Sequence, residues 1–122
     1  MTFVRNYAYL LLGLIRTVNG SAALIAPDAM ARQAGVDPKA NPAAPYVLRL
    51  FGIRTVLIGV ELLRSDGAGR RRALDQGVLI HASDTASAAA AGALGQLPRS
   101  AARKAVAISA VNTTLALIAR RP

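Results

Sequence analysis

The chain has no cysteine and no tryptophan, a single histidine, two lysines and only six acidic residues among 122. Without thiols there can be neither a disulfide framework nor a thiolate metal site. One imidazole leaves no multi-histidine zinc set, so no metal site and no cofactor is expected. Aromatic residues make up 4% of the chain, so a water-soluble core of this size would lack its usual large fillers. Charged residues, at 17%, fall below the roughly 25% of soluble proteins. The phosphate-cradling glycine loop and the G-x-S-x-G nucleophile elbow are both missing.

What the chain has is hydrophobic mass, 53% of residues, with a mean hydropathy of +0.37. Much of it is alanine, gathered into four stretches at about 7–26, 46–63, 73–95 and 101–119. Each approaches the roughly 20 residues a helix needs to cross a 30 Å hydrocarbon core. Pro27, Pro38, Pro42 and Pro45 punctuate the first connector, and Pro98 breaks the third. Residues 28–34 suit a short surface helix, with Gly35 as its left-handed stop. Residues 65–72 read as a basic, glycine-containing loop. The first stretch could pass for a signal peptide, but Arg16 and Asn19 interrupt it and further apolar stretches follow, which favours a retained helix. The expectation is one domain over 1–122, an all-α, four-helix up-down-up-down transmembrane bundle.

A net charge of +9 invites a nucleic-acid reading, and its distribution argues against one. Basic residues cluster at the ends of the apolar stretches: Arg64 with Arg70–Arg72, Arg99 with Arg103 and Lys104, then Arg120 and Arg121. The positive-inside rule produces this pattern, whereas a nucleic-acid-binding helix carries its cations along one face. Basic residues favour the side holding both termini and the 64–72 connector. The expected location is therefore a bacterial inner membrane, multi-pass, with both termini cytoplasmic and the lipid membrane as the first partner.

Polar groups inside the apolar stretches mark the candidate site. Arg16, Arg54, Asp84 and Asn112 lie near the middles of the four stretches, where an ionisable group costs on the order of 2.5–3.5 kcal/mol. At about 100° per residue, Arg16 shares a face with Gly13, Asn19 and Gly20. Arg54 and Glu61 share another face, roughly opposite Gly52 and Gly59, and Arg49 can snorkel to the interface. His81 and Asp84, at i and i+3, meet on a stripe with Gly77, Thr85, Ala88 and Gly92. Asn112 falls with Ala105, Ser109 and Ala116.

The charges nearly cancel, as a buried network requires. The resulting expectation is that Asp84 bridges Arg16 and Arg54, with Asn19 and Asn112 completing the hydrogen bonds. Two roles compete for that cluster. In one it holds together a membrane-embedded binding or accessory protein, a homo-oligomer being compatible. In the other, Asp84 or His81 moves a proton while Arg16 and Arg54 stabilise negative charge on a lipophilic small molecule, as in an isomerase or hydrolase. A soluble helical bundle with an alanine-rich core is the third reading.

The strings RTVNGSAALIAPD (16–28), RLFGIRTVLIGVELL (49–63) and IHASDTASAA (80–89) resemble a family of small four-helix bacterial membrane proteins catalogued as a domain of unknown function. The most specific elements are Arg49, Gly52 and Arg54 of the second stretch and Asp84 of the third. The resemblance spans nearly the whole chain. It implies the fold and the membrane location and carries no activity.

Overall fold

The computed structural model describes residues 2–122. Among them there are five helices and no strand: α1 (Thr2–Ile25), α2 (Pro27–Gln33), α3 (Ala43–Arg64), α4 (Gly67–Ala93) and α5 (Arg99–Ala119). The all-α expectation holds. The proline-rich connector contains the short helix α2, which starts on Pro27, a residue suited to a first turn because its missing N–H has no partner there anyway.

Helix ends follow local chemistry. Gly35 and Gly95 take positive φ, +75° and +71°, the left-handed conformation that glycine adopts without a Cβ clash. At each, two backbone bonds close the helix: Val36 N–H to Ala31 O and Gly35 N–H to Arg32 O, then Gln96 N–H to Ala91 O and Gly95 N–H to Gly92 O. This pattern satisfies carbonyls that the helix would otherwise orphan.

The expected loop at 65–72 is corrected. Only Ser65 and Asp66 lie outside helix, and Arg70, Arg71 and Arg72 form the first turns of α4. Arginine is a good helix former, so a basic cluster is no obstacle to helix, and Asp66 already holds the extended backbone of an N-cap.

Each long helix runs antiparallel to the one it packs on. Gly13 faces Leu63, Gly20 faces Val56, and Gly52 faces Leu24, so α1 and α3 run in opposite directions. Gly92 faces Ala102 and Gly77 lies by Ala116, so α4 and α5 do the same. These two pairs meet mainly through α1 and α5, while α3 touches α4 only lightly. At the α1–α3 seam the approach is close: a Cβ on Gly52 would stand 2.7 Å from the Gly20 carbonyl oxygen and from the Leu24 nitrogen. Small residues permit such backbone contact where larger ones would hold the helices apart.

Two helices, α1 and α5, are long and apolar enough to cross a membrane. Along α3, Arg49, Arg54 and Glu61 interrupt the apolar run, and α4 opens on three arginines and contains Asp75 and Asp84.

Which residues face inward is unusual. Among the described residues, the buried hydrophobics are seven alanines and three leucines, Leu12, Leu62 and Leu74. Buried beside them are Arg16, His81, Ser109 and Asn112. Twenty large apolar side chains are exposed, including Phe3, Leu10, Leu14 and Val18 on α1, Phe51 and Leu57 on α3, and Ile108 and Val111 on α5.

Candidate functional site

Arg16 is the largest side chain that is fully buried, at 1% exposure. It sits on the inner face of α1, between Gly13 and Gly20, and reaches α4 across the interior. Its Nε–H donates to His81 Nε2 at 2.9 Å. A donor bound to Nε2 requires a lone pair there, so the hydrogen bond assigns His81 as a neutral imidazole with its proton on Nδ1. That nitrogen faces Asp84 Oδ2 at 3.7 Å, too far for a hydrogen bond and close enough for electrostatic attraction. A line of polar groups therefore runs outward from the guanidinium through the imidazole to the carboxylate. Asp84 stands at the outer end, its side chain 51% exposed.

Gly77, one turn before His81 on α4, makes room for this arrangement. A Cβ at that position would collide with Arg16 Nη2, and would also stand 3.8 Å from Ala116 on α5. The stripe of Gly77, His81 and Asp84 thus acts as a unit: the glycine admits the guanidinium, the histidine binds it, and the aspartate faces the histidine.

Arg16 Nη1 and Nη2 are buried and have no hydrogen-bond partner among the described residues, and neither does Asn112 Oδ1. Asn112 lies one turn before Ala116, hence on the part of α5 that faces Arg16 and Gly77. Each unpaired buried polar group costs about 1–3 kcal/mol.

The structure brings Arg16, His81 and Asp84 together, with Asn112 buried on the facing side of α5, and leaves Arg49, Arg54 and Glu61 outside. Asp84 does not bridge Arg16 and Arg54. Arg54 lies on the exposed face of α3, because Gly52 and Gly59 take the face that packs on α1. Arg49 and Glu61 are exposed too, and Glu61 Oε1 accepts a local hydrogen bond from Ser65 Oγ at 3.0 Å. Asn19 is half-buried and makes no side-chain hydrogen bond among the described residues, and Asn112, though buried, makes none either. Thr85, on the His81 stripe, turns its hydroxyl back to the His81 carbonyl at 2.7 Å.

Two concavities lie elsewhere. One of about 490 Å³ runs along α4 and α5 from Ala89 to Ala107. The other, of about 190 Å³, sits at the end of the molecule where the chain termini and the α3–α4 turn meet. Neither is lined by Arg16, His81 or Asp84. The second is built from Arg5, Arg70, Arg71, Arg120 and Arg121, which the sequence displays only as charge at helix ends. The up-down-up-down order puts these ends on one side, but their spacing does not tell that the five side chains line one cavity.

No protein-family model, no curated protein and no solved structure matches this chain.

Proposed function

We propose that the chain is an integral membrane protein, a bundle of four spanning helices, that acts as a binding or accessory subunit. One observation carries this reading: apart from three leucines the interior is filled by alanine, glycine and polar groups, while twenty large apolar side chains face out. In water, so many exposed large apolar side chains over a core made mainly of alanine invert the usual distribution of soluble proteins. In a bilayer the same surface is solvated by lipid, and small residues and internal hydrogen bonds are what hold helices together. The resemblance to small four-helix bacterial membrane proteins points the same way. By the positive-inside rule both termini and the α3–α4 turn lie on the cytoplasmic side of a bacterial inner membrane.

The Arg16–His81 bond joins α1 to α4 across the interior and so ties the two helix pairs into one body. A binding role is favoured over catalysis because the His81 lone pair is already engaged by Arg16. The partner contact belongs on α4, which presents Ser83, Asp84 and Ser87 outward near mid-helix. A carboxylate facing lipid is costly there, and a neighbouring membrane helix carrying a donor or an arginine removes the cost.

A second reading, acid/base chemistry on a lipophilic small molecule, rests on Asp84 Oδ2 standing 3.7 Å from His81 Nδ1. In that case substrate would reach Asp84 from the outer face of α4. One experiment separates the two. Membranes are washed in high salt and extracted with a neutral detergent, and the particle is sized for the natural chain and for Asp84→Leu. The accessory reading predicts retention in the washed membranes and a particle larger than one 12.7 kDa chain that shrinks in the variant. Release into the salt wash would refute the membrane assignment, and an unchanged particle would refute the contact on α4.

A further inference from the structure

The arginine-lined cavity at the end of the molecule lies among the basic residues that set the proposed orientation, and its chemistry is more specific than net charge. Five guanidinium groups line about 190 Å³ together with Asn6, Tyr9 and Leu74, and no acidic residue is among the lining. They arrive from three directions: Arg5 from the first turns of α1, Arg70 and Arg71 from the first turns of α4, and Arg120 and Arg121 from the end of α5. Like charges brought together repel, so such a convergence is costly unless something holds the side chains or an anion relieves them.

Part of the set is held. Arg5 Nη1 donates to the Arg121 carbonyl at 3.2 Å, which ties the beginning of α1 to the end of α5. Arg70 Nε donates to the Ser65 carbonyl at 2.9 Å, and its guanidinium lies 4.0 Å above the Tyr9 ring. Arg120 Nη2 pairs with Asp75 Oδ1 at 2.8 Å. Three of the five are thus oriented by fixed partners. The side chains of Arg71 and Arg121 make no hydrogen bond or ion pair among the described residues, and their charge is uncompensated.

We propose that this cavity is a binding site for a phosphate-type oxyanion. Arginine forks match phosphate oxygens in pairs, and a tetrahedral group can accept them from several directions at once. A carboxylate offers two oxygens in one plane and engages fewer forks than a phosphate group. The arginines oriented by Ser65, Tyr9 and Arg121 supply a preformed wall, and Arg71 and Arg121 close on the ligand. An anionic phospholipid headgroup and a soluble phosphate share this chemistry. Basic pockets on the cytoplasmic side of membrane helices are suited to the former. The site stands on the cavity itself and does not depend on the membrane reading.

The test uses the full chain in a neutral detergent and titrates four probes: phosphatidylglycerol, phosphatidylcholine, inorganic phosphate and pyrophosphate. The double variant Arg71→Gln/Arg121→Gln is compared with Arg32→Gln/Lys104→Gln, which removes the same charge away from the cavity. The site predicts saturable binding of phosphatidylglycerol or of a soluble phosphate. It also predicts that affinity falls about tenfold or more in the first variant and is unchanged in the second. Preference for phosphatidylglycerol over phosphatidylcholine identifies a headgroup as the source, and saturation by pyrophosphate identifies a soluble one. Equal losses in the two variants would show attraction to net charge only and overturn the site, as would binding of none of the probes. A chain that binds pyrophosphate here yet leaves the membrane in high salt would keep the site and refute the spanning bundle.

Discussion

Replacing Gly52 with leucine is expected to separate α1 from α3 and to lower stability by about 3 kcal/mol or more, the upper part of the overpacking range. The reason lies in what the new side chain would meet. At Gly52 the obstacles are the Gly20 carbonyl oxygen and the Leu24 nitrogen, both backbone atoms at 2.7 Å, with the Leu24 Cα at 3.1 Å. Backbone in the middle of a helix cannot swing aside, so whole helices must move. The opposite glycine of the contact, Gly20, meets the Val56 nitrogen and the Gly52 oxygen in the same way. Gly69 supplies the control, because a Cβ there stands 3.6 Å from Ser65, ordinary contact distance. Gly69→Ala is expected to stabilise by roughly 0.5–1 kcal/mol through helix propensity. Thermal unfolding of the three proteins in one detergent reads both effects. A Gly52→Leu protein that melts with the natural one would show that the α1–α3 seam is not packed as described.

The second large effect is at His81. His81→Leu removes the only hydrogen-bond partner that Arg16 has among the described residues and leaves a buried guanidinium with none. Losing the hydrogen bond to a buried charged group costs about 1.5–3 kcal/mol, because the guanidinium stays desolvated with one partner fewer. Removing both sides is a different experiment. Arg16→Met/His81→Leu takes away the charge together with its partner, and such exchanges are often neutral or stabilising. The double variant is therefore expected to recover most of what His81→Leu loses. Denaturant titration of the natural chain, both single variants and the double variant gives the coupling directly. Additive losses would mean that the two side chains do not act as a pair. If the double variant is as stable as the natural chain, Arg16 is kept for something other than stability.

The sequence displays the inner face of α1 and the stripe on α4 clearly. Arg16 falls between Gly13 and Gly20 at helical spacing, and a face of glycines around one cation is recognisable as a packing face. His81, Asp84 and Gly77 align by the same geometry. Requiring the mid-helix charges to cancel as one network places Arg54 inward. The glycines on the opposite side of α3 decide otherwise, since close backbone approach at Gly52 and Gly59 turns Arg54 and Glu61 outward. The partner of Arg16 was not legible either. Periodicity tells which groups share a face of one helix, and whether a guanidinium on α1 reaches an imidazole or a carboxylate on α4 depends on helix offset, which no single segment encodes. The arginine-lined cavity was hidden for a related reason. Its members come from residues 5, 70–71 and 120–121; the up-down-up-down order places those ends on one side, but which side chains line one cavity depends on how closely the helix ends pack.

The inward-facing alanine, glycine and polar groups and the outward-facing leucine, valine and phenylalanine have one consequence that a single measurement reaches. The natural chain has no cysteine, so one introduced thiol is the only site for a maleimide. Lys39→Cys places it in the α2–α3 connector and Asp66→Cys in the α3–α4 turn, at opposite ends of α3 and both exposed. Intact bacterial cells are treated with a membrane-impermeant maleimide before and after lysis. A spanning bundle with cytoplasmic termini predicts labelling at position 39 in intact cells and at position 66 only after lysis. Labelling of both positions only after lysis would contradict a bundle that crosses the membrane.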